Sequence, residues 1–307
     1  MKKSGEHLLT GTTMKYQFIE QYKQEFPVVV MCRVLGVSES GYYAWRKRPE
    51  SQHQQEDARL TTQIQQLFVS RRGVYGSPRI HVDLKDLGWR TSRKRVARLM
   101  KENGMDARRK PFHPITTKSN PKDRFASNLL QQDFTAQRPN EKWTGDITYI
   151  PTAQGWLYLA VMLDVFSRRV IGWAMSSRCD ELLVETALRM ALARRQPGAG
   201  LLHHTDRGSQ YTSRAYQQVL EQVEITVSMS GKGNCYDNAV TESFFGTVKD
   251  ECVHRTVYHS HDEARQSLFE YLEVFYNRQR RHSSLGYLSP SAFEQQWELT
   301  AKNLAVF

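Results

Sequence analysis

Three carboxylates in this sequence occupy special places, and together they suit phosphoryl transfer. Asp146 lies between Gly145 and Ile147 inside an apolar, β-branched stretch; a carboxylate is a poor strand former there and costly to bury without a partner. Asp206 closes a short apolar run and is followed by Arg207 and Gly208, the glycine permitting close backbone approach by a ligand. Glu242 follows the turn-rich stretch Ser230-Gly231-Lys232-Gly233-Asn234, with 59 residues between Asp146 and Asp206 and 35 between Asp206 and Glu242. Acids of this kind, gathered at a strand end, could hold two divalent ions about 3.5–4 Å apart, one activating an attacking oxygen and the other stabilising the leaving one. Hard cations such as Mg²⁺ take oxygen ligands and few of them from protein. Lys249, seven residues beyond Glu242, lies two helical turns along the same face and could reach a phosphate held there. Single acids are commonly surface or capping groups, so the joint placement carries the reading.

Neighbouring polar residues receive plainer readings. Asp164 is expected as a turn carboxylate paired with Arg168 or Arg169, and Asp237 as the N-cap of the helix carrying Glu242. His203 and His204 are adjacent in a strand and so point to opposite faces, which keeps them from sharing one ion.

The elements needed to position the acids are legible in hydrophobic pattern. Trp143–Ile150, Trp156–Val165 and Arg169–Met175 read as three successive strands, antiparallel, rich in β-branched and aromatic residues. Glu181–Arg195 has apolar residues at helical spacing, and Pro197-Gly198 closes it. A fourth strand is expected at Leu201–Thr205, a helix at about Ser213–Glu221, a strand near Ile225–Ser230 and a helix from about Asn238 to Cys252. The order βββαβαβα suits an α/β fold, a mixed sheet with flanking helices.

The other half of the chain reads as a nucleic-acid-binding region. Of 307 residues, 43 are Lys or Arg and 32 Asp or Glu, a formal charge of +11. The excess is one-sided, because residues 1–137 hold 25 basic against 13 acidic residues while 138–307 hold 18 against 19. A basic half beside a near-neutral one suggests that one part carries a polyanion. Val28–Leu35 ends at Gly36, and Ser38 can cap a helix at about Glu39–Arg48 in which aromatic residues lie beside Arg46, Lys47 and Arg48. A helix, a short glycine turn and a basic helix is the arrangement that sets one helix in the DNA major groove. A second pair follows: Ser77 as N-cap with Pro78 opening a helix to Leu87 and Gly88, then Ser92 capping Arg93–Asn103. In that last helix Val96, Leu99 and Met100 form a buried face and Arg93, Lys94 and Arg95 supply charge.

The domain plan is thus a helix-turn-helix region over 1–56, a second such helical domain over 57–107, a basic linker over 108–137, a catalytic core over 138–295 and a tail over 296–307. Cys32, Cys179, Cys235 and Cys252 show no paired spacing, which argues for reduced thiols and against a disulfide framework or zinc site. No apolar run approaches the roughly 20 residues of a membrane helix, and no secretory signal is evident. The expected compartment is the cytoplasm, with nucleoid association when DNA is bound and no membrane partner.

The acids and their surroundings resemble the DDE core shared by retroviral integrases and many transposases. Trp143-Thr144-Gly145-Asp146-Ile147-Thr148-Tyr149, His204-Thr205-Asp206-Arg207-Gly208-Ser209-Gln210-Tyr211, Gly233-Asn234-Cys235-Tyr236-Asp237-Asn238-Ala239 with Glu242-Ser243-Phe244-Phe245, and Tyr276-Asn277-Arg278-Gln279-Arg280-Arg281-His282 resemble the OrfB transposase of the IS-three family of bacterial insertion sequences. That resemblance implies an RNase H-like core and Asp146, Asp206 and Glu242 as catalytic and metal-binding residues. It implies Mg²⁺, two ions per site with Mn²⁺ as substitute, and cleavage at element ends followed by transfer of the freed 3′-hydroxyl into target DNA. It also implies a homo-oligomer in the active complex and an OrfA partner, or a frameshift fusion to it; this chain shows no sustained heptads near its start. The His/His/Cys/Cys zinc module of retroviral integrases is missing. Two other readings predict different products: a non-catalytic DNA-binding regulator, and a nuclease without strand transfer.

Overall fold

In a computed structural model the described residues are 11–49, 51–107, 126–231 and 235–304, with the side chains of Cys235, Tyr236 and Leu304 left aside. The first eighteen residues of the expected linker, 108–125, and the turn residues 232–234 lie outside them. The chain divides into two compact units, Met1–Ile64 and Gln65–Phe307.

In the first unit, α1 (Thr12–Tyr22), α2 (Val28–Leu35) and α3 (Glu39–Lys47) enclose a small core of Tyr16, Ile19, Met31, Cys32 and Tyr42. The expected punctuation is present. Gly36 takes the left-handed conformation (φ 64°) that ends α2, and the Ser38 hydroxyl accepts the Gly41 N–H at the start of α3. Helix α4 (Gln52–Ser70) spans the unit boundary.

The second unit contains α5 (Ser77–Asp86) and α6 (Arg93–Glu102). Ser92 caps α6 as expected, accepting the Arg95 N–H. Ser77 does not cap α5: it is the first helical residue, Gly76 holds the extended cap position, and Pro78 sits in the opening turn, where its missing N–H has no cost.

The sheet then forms from β1 (Lys142–Thr152), β2 (Gly155–Asp164), β3 (Val170–Ser176), β4 (Leu202–Thr205) and β5 (Thr226–Met229), in spatial order β3-β2-β1-β4-β5. β1–β2 and β2–β3 are antiparallel, whereas β1–β4 and β4–β5 are parallel. This is the expected mixed sheet, with α7 (Glu181–Arg195) and α8 (Arg214–Gln222) supplying the crossovers. Alternation along β1 puts Trp143 into the core with α7 and α8, among Met162, Val184, Leu188 and Leu220. It puts Thr144 on the other face, where its hydroxyl bonds that of Thr241 on α9 (Ala239–Glu251) at 2.8 Å.

One contact shows how closely α7 approaches β3. A Cβ built on Gly172 would lie 2.2 Å from the Ala187 carbonyl oxygen and 2.7 Å from the Ala191 nitrogen. Both are backbone atoms that cannot swing away. Gly172→Ala should therefore destabilise the fold by about 1–3 kcal/mol, read as a lower urea midpoint; an unchanged midpoint would contradict the packing.

After α9 come α10 (His261–Phe269), continuing into a π-helical stretch Glu270–Tyr276, and α11 (Pro290–Leu304), which carries helix through residues 296–304 of the expected tail. The segment after the π turn clasps three parts of this unit. Asn277 pairs with both backbone groups of Val170 in β3 at 2.8 and 2.9 Å. Arg280 holds Glu251 at the end of α9 through two bonds of 2.6 and 2.7 Å, and Arg281 bonds Asp83 of α5 at 2.5 Å and also Asp86. Helices α5 and α9 are further joined by Arg79 to Glu251 at 3.3 Å. No described helix is long and apolar enough to cross a membrane.

Candidate active site

Asp146 stands at the middle of β1, Asp206 immediately after β4, and Glu242 in the first turn of α9. Thr144 pairs with His204 in parallel register, so continuing both strands by two residues brings Asp146 and Asp206 side by side. The Thr144–Thr241 bond ties α9 to the same strand next to Glu242.

The electrostatics show that the three acids share one site. Burial pushes the Asp146 carboxyl well above the usual carboxylate range, and the charges of Asp206 and then Glu242 add to the rise; the Ile147 N–H and the Lys249 ammonium pull the other way. Burial raises Asp206 too, opposed by the Gly208 N–H, and burial raises Glu242. Among the described residues no side chain donates a hydrogen bond to any of the three. Their bonds come from backbone: Ile147 N–H to Asp146 at 2.7 Å and Gly208 N–H to Asp206 at 2.9 Å. Lys249 is 7% exposed, with its ammonium 4.8 Å from the centre of the Tyr149 ring. Burial lowers its pKa and the Asp146 charge raises it. It therefore turns inward toward the acids.

Repelling carboxylates that lack a side-chain donor are a donor set suited to hard cations. No three described His, Cys, Asp or Glu side chains converge tightly enough to hold a single ion. A cation that keeps most of its water needs only one or two carboxylates, and Asp146 is the acid that feels both of the others.

Several neighbours differ from expectation. Asp237 does not cap α9: its carboxylate accepts the Gly231 N–H at 2.7 Å, Asn128 at 2.9 Å and Gln132 at 3.1 Å. It thereby ties Asn128 and Gln132 to Gly231. Asp164 is buried, bonded by the N–H groups of Asn140 and Phe166, with Arg195 at 3.5 Å rather than the side chain of Arg168 or Arg169. Burial lifts its pKa to about 6. Arg169 instead joins Arg195 and Ser167 on buried Glu294, a partner 125 residues away that local reading cannot find. His203 and His204 diverge as alternation requires, to Tyr216 at 2.7 Å and Ser228 at 2.8 Å. Burial depresses them to about 3 and about 4, so both are neutral structural groups. Cys32, Cys179 and Cys252 are free thiols.

Two residues near the acids escaped the sequence reading. Tyr149 supports Lys249, and its place three residues after Asp146 in one strand was the available signal. Tyr211 is buried with its hydroxyl unbonded among the described residues, and the charges of Asp146 and Asp206 reach it. The expected DNA-contacting residues lie elsewhere. Arg46, Lys47 and Arg48 are exposed at the end of α3, with Arg46 3.7 Å from Glu20; Arg93 and Lys94 are exposed at the start of α6, and Arg95 is half-buried.

Comparison with known proteins gives concordant matches. The Integrase core domain family matches at residues 136–235 and, in a second description, at 223–290; an HTH-like domain matches 54–112 and a Transposase family 12–68. The transposase InsF of insertion sequence IS3A from Escherichia coli K12 is 44% identical over 295 residues, 95% of this chain and 100% of the relative. A 31 kDa protein of insertion element IS600 from Shigella sonnei is 44% identical over 271 residues, 88% of this chain and all of its own. The catalytic core domain of HTLV-2 integrase, solved as a trimeric form with magnesium, is 17% identical with a TM-score of 0.40, covering 52% of this chain and 99% of its own.

Proposed function

The chain belongs to the IS-three (IS3) family of transposases, and from that premise we propose that it cuts DNA at the ends of its insertion sequence and joins the freed 3′-hydroxyl to a phosphate of target DNA. The observation that carries this reading is the shared electrostatic site of Asp146, Asp206 and Glu242, drawn from β1, the end of β4 and α9. Asp146 with Asp206, and Asp146 with Glu242, would hold the divalent ions. Two Mg²⁺ ions, or Mn²⁺ in their place, supply Lewis-acid activation of the attacking oxygen and neutralise charge on the departing one.

The chain's own groups orient the reactants. The Ile147 and Gly208 N–H groups each fix one oxygen of an acid, leaving the other to face the ions. Lys249, steadied over Tyr149, would contact a phosphate oxygen of the scissile group. Arg46, Lys47 and Arg48 on α3, and Arg93, Lys94 and Arg95 on α6, would contact DNA phosphates and fix the ends in register. Assembly as a homo-oligomer, with an OrfA partner or fusion for end recognition, completes the proposal. The site of action is wherever the element's DNA lies, the bacterial cytoplasm.

Purified protein, Mg²⁺, labelled element ends and target DNA test this directly. Joined product is the expected result. Nicked product alone would replace the reading by a nuclease, and bound but intact DNA by a regulator.

A further inference from the structure

The segment Tyr276–His282 is mostly accounted for by packing: Asn277 closes on β3, Arg280 on Glu251, Arg281 on Asp83, and the Tyr276 hydroxyl donates to the Arg168 carbonyl at 3.0 Å. Arg278 is not. It is exposed, and it has no hydrogen-bond or ion-pair partner among the described residues. It lines a half-open cavity of about 350 Å³ together with Arg169, Arg194, Arg195, Glu273 and Asn277. Three acids near this cavity are already engaged, Glu273 by Arg194 and the Trp173 indole at 2.7 Å each, Glu294 by Arg169, Arg195 and Ser167, and Asp164 with Arg195 at 3.5 Å. Four guanidinium groups therefore stand against three satisfied carboxylates, leaving the positive charge of Arg278 uncompensated in a concave polar site.

That site is remote from the acids. Gln210, four residues beyond Asp206, bonds the Cys179 carbonyl at 3.1 Å just ahead of the N-terminus of α7. Arg194 and Arg195 occupy the other end of the same fifteen-residue helix, about 22 Å away at 1.5 Å per residue. A length of that order is under one helical turn of duplex DNA.

We infer that the cavity bounded by Arg169, Arg194, Arg195 and Arg278 is a phosphate-binding site, separate from the acidic centre, that grips a phosphodiester or a free phosphate. Planar guanidinium forks match phosphate oxygens geometrically. Duplex backbone as the source rests on the DNA-processing reading above; the phosphate chemistry does not.

Full-length protein is titrated with an element-end duplex across a KCl series and, separately, melted with and without sodium pyrophosphate. Arg278→Glu should weaken duplex binding about three- to tenfold near 0.15 M salt and reduce the slope of log K against log salt by about one. Arg194→Gln, as a second variant, should weaken binding in the same direction. If duplex binding is unmoved but pyrophosphate raises the melting temperature of wild type and not of Arg278→Glu, the site takes a free phosphate. If neither arm responds to either variant, the inference is overturned. Asp146→Asn carried in parallel separates the two claims, since it should stop chemistry without altering either phosphate readout.

Discussion

Asp146→Asn should abolish strand cleavage and joining, by about 10³-fold or more, while duplex affinity stays within about twofold of wild type. The asymmetry follows from where the two energies arise. Affinity for DNA comes chiefly from basic side chains meeting phosphates, which the proposed reading places on α3, α6 and the arginine cavity. On the proposed function, chemistry depends on the negative charge gathered around Asp146, which feels the charges of both other acids. The amide is nearly isosteric, so the Ile147 N–H bond to the remaining oxygen survives. Mutual repulsion falls as well, and the variant should melt no lower than wild type in metal-free buffer. Added Mg²⁺ should raise the melting temperature of wild type by mass action and leave Asp146→Asn unchanged. Asp206→Asn and Glu242→Gln should repeat the pattern. A folded variant of any of the three with wild-type joining would remove the catalytic assignment.

The largest expected loss of stability lies at Arg280→Ala. Arg280 is 3% exposed and carries two of the bonds to Glu251, whose other donors are Arg79 and the Tyr271 hydroxyl. Removing one member of a buried, hydrogen-bonded ion pair strands the other charge and costs about 3–5 kcal/mol, a large share of the 5–15 kcal/mol typical of a folded domain. Burial pushes the Glu251 carboxyl up, but the bonds and charge of Arg280, then Arg79 and Tyr271, outweigh it, and the net position is below the usual carboxylate range. A depressed folded pKa contributes stability that is complete above the unfolded value, about 4.3, and is lost as pH falls through the folded one. The gap between wild type and Arg280→Ala in urea titrations should therefore be full at pH 7 and narrow below about pH 4. A gap under 1 kcal/mol at pH 7 would contradict this account. Because α9 also carries Glu242 and Lys249, strand joining by this variant should drop even at temperatures where it remains folded.

Much of this architecture is written in local pattern. Helix α7 has the same ends in sequence and structure, Glu181 and Arg195, because Asp180 caps it, accepting the Leu183 N–H, and Pro197 follows it. The first three strands are legible because they are rich in apolar, β-branched and aromatic residues and bounded by turn residues. The acids were legible from their joint placement: Asp146 inside a strand that disfavours it, Asp206 directly after a strand and Glu242 at the start of a helix. What was hidden is long-range satisfaction of charge. Arg169 could have served Asp164, five residues away, yet it bonds Glu294 on α11, and no periodicity encodes such a choice. Asp237 looked like a helix cap by position, but its carboxylate accepts instead from Gly231, six residues earlier, and from the distant Asn128 and Gln132. Lys249 was correctly set on the face of Glu242; its burial over Tyr149 depends on how β1 and α9 approach, which sequence spacing does not give.

The clasp at residues 277–281 has a consequence for incomplete protein. A ribosome that has made the chain only as far as α9 has already produced Asp146, Asp206, Glu242 and both helix-turn-helix regions, but of the arginines that fasten α9 and α5 it has made Arg79 and not Arg280 or Arg281. Such a prematurely terminated product would keep the basic helices proposed to contact DNA while lacking a secured reaction centre. It would act as a competitor of the intact enzyme, and truncation late in the gene would restrain transposition in trans as well as fail to perform it.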